Sequence, residues 1–117
     1  MKTIEEVEIL SASDEELLRT VKEVILTHLP TAKILLYGSV ARGTQHEDSD
    51  YDLFVLTEHA LSMDEQHGVR SDIYAIELEL NMEVLFSVMF CSEDQWNASA
   101  FHGSPLRLEI QQDGVVL

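Results

Sequence analysis

The chain carries two carboxylates one residue apart, Asp50 and Asp52 in "SDYDL" (49–53), and Ser39 of a Gly-Ser pair stands eleven positions before Asp50. Side chains alternate along a strand, so Asp50 and Asp52 project from one face while Tyr51 and Leu53 point from the other. Two carboxylates side by side repel unless something positive sits between them. An oxygen-only pair at the mouth of a strand suits Mg2+, which takes one or two carboxylates, several waters and substrate phosphates. Gly38 lets the backbone come close to a bulky anion, and Ser39 offers a hydroxyl and a helix-start amide to phosphate oxygens. Arg42 is the one Lys or Arg side chain between residues 35 and 53. The segment has the parts to hold a metal–nucleoside triphosphate, with the serine turn on the distal phosphates.

Each part also has a plainer reading. Gly-Ser is a common turn, and Asp-x-Asp at a strand end is often a solvated edge. For Arg42, an ion pair with one of the chain's many carboxylates is as compatible as a phosphate contact. A calcium loop fits Asp48, Asp50 and Asp52 as its first three ligands. It fails at the sixth position, where Leu53 replaces glycine, and at the twelfth, where His59 replaces glutamate. His46 sits in the loop facing the motif, where a solvated histidine is the default, and His28, His59, His67 and His102 show no metal-ligand spacing. Cys91 reads as a buried small hydrophobe, and Trp96 and Phe101 as core.

The elements that must position this segment follow from periodicity. Ser13 opens a capping box with Glu16, and Leu17, Leu18, Val21, Val24 and Ile25 follow at helical spacing until Pro30. "KILLYG" (33–38) and Asp50 to Leu56 read as buried strands around a polar turn region, 39–49. Residues 63–80 carry Val69, Ile73, Ile76 and Leu80 on one helical face, and "MEVLFSVMFC" (82–91) is a third strand. Ser92 and Gln95 cap a further helix, and "LRLEIQQDG" after Pro105 is the last, with Gly114 at its C-terminal cap and "VVL" adding a short edge strand. Residues 1–12 are an acidic lead-in without a clear element. One domain over 1–117 is expected, of α/β (α+β) class, with a small mixed sheet of three or four strands covered by helices.

Composition narrows the partners. With 22 acidic residues against 7 basic and a net charge of −15, the surface repels phosphate backbones, which argues against stable nucleic-acid binding. A basic protein, or an anion held through metal ions, is compatible. A single cysteine, Cys91, permits no internal disulfide. The N-terminus lacks a signal-peptide core and no run approaches about 18 apolar residues, so a soluble cytoplasmic protein without membrane association is expected.

"GSVARG" followed by "SDYDL" resembles the nucleotidyltransferases of the DNA polymerase β superfamily. The likeness is greatest to the minimal nucleotidyltransferases, short single-domain proteins often encoded beside a HEPN-domain partner. The end, "SPLRLEIQQDGVVL", is similar to that group's closing helix and tail. The resemblance implies the polymerase β-like fold and nucleotidyl transfer from ATP or another nucleotide to a hydroxyl. It implies Asp50 and Asp52 as the Mg2+ ligands, and Gly38, Ser39, Arg42 and Ser49 as the nucleotide-binding motif. It further implies a HEPN-type toxin as the acceptor-bearing partner, with this chain as antitoxin.

Active members of that family have a third carboxylate on the next strand. In "MEVLFSVMF" the only acid is Glu83, at the start, and Glu83, Leu85 and Ser87 share one face. Counting back from Ser92, the family's acid falls nearer Ser87 than Glu83. Either Glu83 reaches in as the third catalytic carboxylate, or the acid is lost and the chain is a nucleotide- and partner-binding module that neutralises a basic protein. An oligomer is compatible with either.

Overall fold

The computed structural model describes residues 2–4, 10–44 and 50–117. Elements run β1 (Lys2–Thr3), α1 (Ala12–His28), β2 (Lys33–Tyr37), α2 (Gly38–Arg42), β3 (Tyr51–Thr57), α3 (Met63–Glu79), β4 (Phe86–Ser92), α4 (Glu93–Asn97), α5 (Ser99–His102), α6 (Pro105–Asp113) and β5 (Val115–Val116). The strands form one mixed sheet in the order β1-β5-β2-β3-β4. β2 and β3 are antiparallel neighbours, whereas β3 and β4 are parallel. A parallel pair needs a crossover, and α3 supplies it.

Alternation along the strands builds two cores. Ile34, Leu36, Leu53, Val55 and Val88 face Leu18, Val21 and Ile25 of α1 and Val69 and Ile73 of α3. Leu35, Phe54 and Cys91 face the other way, onto Ile110 and Leu106 of α6 and onto Trp96 and Phe101. Cys91 is buried, and desolvation raises its thiol pKa, as befits a small hydrophobe. Among the described residues no helix is long and apolar enough to cross a membrane.

Several boundaries differ from the sequence expectation, each for a local reason. The capping box of α1 is Ser11 with Asp14, not Ser13 with Glu16. This frame buries Leu10 just ahead of the cap and lets Asp14 also accept from Tyr51. The polar stretch after Gly38 is not all turn, because residues 38–42 form α2. A second Ser-capped box, Ser62 with Glu65, starts α3. Among the described residues the sheet has five strands: Lys2–Thr3 of the lead-in pairs with β5, and "VVL" lies between β1 and β2 rather than at an edge. The third long strand begins at Phe86, not Met82, because Asn81 and Met82 both adopt left-handed backbone (φ 56° and 59°) in the turn leaving α3.

β4 is one edge of the sheet, and α3 protects it. The Phe86 amide donates to Glu77 Oε2 (2.9 Å), and Arg70 Nη2 donates to the Val88 carbonyl (3.0 Å) while stacking over Phe90. Edge groups left open invite pairing with another chain. That requirement explains why Glu77 is buried on the same face of α3 as Val69 and Ile73.

Candidate active site

β2 delivers the chain to Gly38, which has φ +78° and begins α2. Glycine is required here twice over. The backbone is left-handed, and a Cβ would stand 3.1 Å from Asp52 Cγ and overlap Asp52 Oδ2. The Asp52 carboxylate is thus seated on the first residue of α2. Gly43, also left-handed (φ +75°), ends the helix, with its amide donating to the Val40 carbonyl at 3.2 Å.

Register fixes what surrounds Asp52. Tyr37 lies opposite it on β2 and Ser87 beside it on β4. Exposed Asp50 immediately precedes β3. Tyr51, between the two aspartates, points to the opposite face. There it stacks on Phe86 (centroids 5.4 Å apart), and its hydroxyl donates to Asp14 of α1. Burial tends to raise Asp14, but the bonds from Tyr51 and Ser11 outweigh it and hold the carboxylate below its ordinary range. Burial, and then the Asp14 bond and charge, raise the Tyr51 phenol. A neutral tyrosine locked onto an ionised aspartate anchors the strand that presents the acidic pair.

The field at Asp52 is negative. Burial raises its pKa above the usual 3.8, the Asp50 and Glu109 carboxylates raise it further, and Arg42 opposes them. Burial, Asp52 and Glu109 raise Tyr37 in the same way. Arg42 Nη1 donates to Glu109 Oε1 (3.0 Å) and lies 3.5 Å from Asp113 Oδ2, both on α6. The ion-pair reading of Arg42 therefore holds in this structure.

Of the residues singled out from sequence, Gly38, Ser39, Arg42, Asp50 and Asp52 come together at one end of β2 and β3. Ser49, His46 and Asp48 lie outside the described residues. Glu83 does not come to a strand position. It is exposed on a bend before β4, and the place beside Asp52 belongs to Ser87. The left-handed Asn81–Met82 turn is the cause, since it delays the strand past Glu83. Glu109, Asp113 and Tyr37 were not anticipated. The four-residue spacing of Glu109 and Asp113 on one helix face is visible in the sequence, but which cation they hold is not.

Among the described residues no three His, Cys, Asp or Glu side chains form a metal cluster. An oxygen-only pair whose remaining ligands come from water and substrate phosphates is how Mg2+ is commonly held. The mutual repulsion at Asp52 fits such a cation.

The sequence profile of the nucleotidyltransferase domain matches residues 18–105, well over half of the chain. The chain belongs to the nucleotidyltransferase-domain family. No curated protein matches it in sequence. Two solved structures share the nucleotidyltransferase fold. One is a toxin–antitoxin crystallised with AMP-PNP (21% identity, TM-score 0.56, covering 84% of this chain and 69% of that one). The other is a toxin–antitoxin MntA–HpeT mutant with two Asp-to-Glu substitutions two positions apart (20% identity, TM-score 0.53, covering 82% and 68%). α6 beyond Pro105, with Glu109 and Asp113, lies outside the segment that the nucleotidyltransferase profile matches.

Proposed function

We propose that this chain is a minimal Mg2+-dependent nucleotidyltransferase. It transfers the nucleotide of ATP to a hydroxyl on a HEPN-type protein partner, as the antitoxin of a toxin–antitoxin pair in the cytoplasm. The observation that carries this reading is the Asp52 carboxylate seated on left-handed Gly38, with Asp50 beside it, in a nucleotidyltransferase-family chain. The context is supported by the two structural neighbours, both toxin–antitoxin proteins. The substituted pair in the second has the spacing of Asp50 and Asp52.

In the reaction the acceptor oxygen bonds to the α-phosphorus, the bond to the bridging oxygen breaks, pyrophosphate leaves and the hydroxyl proton passes to water. Asp50 and Asp52 hold Mg2+, which when bound supplies positive charge for the attacking and leaving oxygens. Gly38 and Ser39 bind the triphosphate through close backbone approach and a hydroxyl, and Ser49 completes the motif ahead of Asp50. Glu83, off the strand, is not assigned the proton.

One observation favours a second reading. Ser87 occupies the β4 position beside Asp52, so the site has two carboxylates where a third would assist chemistry. On that reading the chain binds nucleotide and covers a basic partner, consistent with its net charge of −15. Intact-mass measurement separates the two. With ATP, Mg2+ and the product of the adjacent gene, a nucleotidyl adduct on the partner that is lost in the Asp50→Ala, Asp52→Ala variant supports transfer. A tight complex with no mass change across the common nucleotides supports the binder.

A further inference from the structure

Among the described residues Arg42 is the cation whose charge acts on Asp52, yet that guanidinium is bonded elsewhere. Arg42 is the last residue of the five-residue helix whose first residue, Gly38, touches Asp52, so the two ends of one short turn meet the same carboxylate's surroundings. On its far side Arg42 Nη1 is held by Glu109 at 3.0 Å and Asp113 at 3.5 Å. Among the described residues only Nη1 of this guanidinium is engaged. A flexible arginine without those partners has an obvious alternative. It can turn to Asp52, which sits against the first residue of the same short helix, and occupy the place of a metal ion.

We propose that Glu109 and Asp113 are positioning residues that hold Arg42 against α6, so that it does not neutralise Asp52 and compete with the cation. This rests on the reading of Asp50 and Asp52 as metal ligands. Glu109 and Asp113 lie on α6, beyond the segment that the family profile matches. The clasp places a phosphate-competent arginine one helical turn from Gly38 and Ser39 while leaving the carboxylate pair open.

The test is a Mn2+ titration of the full chain, without nucleotide, in four forms: wild type, Glu109→Gln, Arg42→Gln and the double variant. Glu109→Gln should weaken Mn2+ binding about threefold or more with Arg42 present, the scale of one exposed ion pair. In the Arg42→Gln background the same change should cost clearly less, because only the through-space charge of Glu109 is lost and no cation remains to be released. A charge acting only through space would give equal losses in both backgrounds, and that result overturns the clasp. A loss in neither background overturns it too. If wild type binds no Mn2+ that is sensitive to Asp50→Ala, Asp52→Ala, the metal site itself fails, and the clasp with it. Thermal melts confirm that all four forms fold, since Arg42 and Glu109 are substantially exposed.

Discussion

Asp52 has two neighbours in the sheet, and they are built to different standards. On the β2 side everything is specified: Tyr37 is in register, Gly38 is left-handed, and its missing Cβ is the seat of the carboxylate. On the β4 side the register partner is Ser87, and the only acid of the preceding segment is stranded on a bend. On the function proposed above, the same strand is complete as a nucleotide-binding wall on one flank and lacks a carboxylate on the other, so different strands supply binding and chemistry.

The largest expected effect comes from spoiling the finished flank. Gly38→Ala places a methyl where Asp52 sits and forces an L-residue into left-handed backbone, itself costing about 1–2 kcal/mol. Urea unfolding should show that loss or more, and calorimetry should show metal–nucleotide binding abolished. Wild-type affinity in this variant would mean that the seat is incidental.

The unfinished flank can be completed. Ser87→Asp should raise the rate of nucleotidyl transfer to the partner by about a hundredfold, the low end of what a positioned acid or base contributes. Glu83→Gln should leave that rate within about twofold, as exposed groups away from the reacting atoms do. The reverse pattern, no gain at Ser87 and loss at Glu83, would make Glu83 the third acid and erase the contrast between the flanks.

The β4 edge offers a smaller test. Glu77→Ala leaves the Phe86 amide without its partner and should cost about 1–2 kcal/mol in urea unfolding. Because Phe86 leads the chain into the Ser87 position, a loosened edge should also lower any gain made by Ser87→Asp.

The smallest effect is one of pH. The fold raises the Asp52 pKa, so the native state favours its protonated form, and Asp52 penalises stability increasingly as pH rises from 3.8 through the raised value. Below 3.8 the penalty is absent, and above the raised pKa it is constant. Asp52→Asn should therefore melt a few degrees higher than wild type at pH 7 without metal. The gap should close towards pH 3.5, and saturating Mg2+ should reverse it by stabilising wild type alone.

Much of this contrast was legible in the sequence because it depends on short-range rules. "KILLYG" and "DYDLFVL" specify two buried strands, and alternation puts Asp50 and Asp52 on one face without knowledge of the fold. The Ser92–Gln95 capping box and the stop at Pro30 also stand where spacing put them. What was not legible depends on tertiary choice. The Ser13–Glu16 spacing reads as the capping box, yet the helix caps at Ser11 with Asp14, whose carboxylate also accepts from Tyr51. Met82 reads as strand entry, yet the left-handed backbone of Asn81 and Met82 moves the strand start past Glu83. Glu109 and Asp113 are two of 22 acidic residues, and only packing of α6 against α2 shows which ones hold Arg42.

With so many carboxylates on the surface, the direct measurement is where a cation settles. In 15N-labelled protein, substoichiometric Mn2+ with AMP-PNP should broaden the amides of Gly38, Ser39 and Asp52, and that of Ser87 on the neighbouring strand, before any others. Broadening scattered over the acidic helices, with Gly38 and Asp52 spared, would contradict a metal–nucleotide site at the β2–α2–β3 junction.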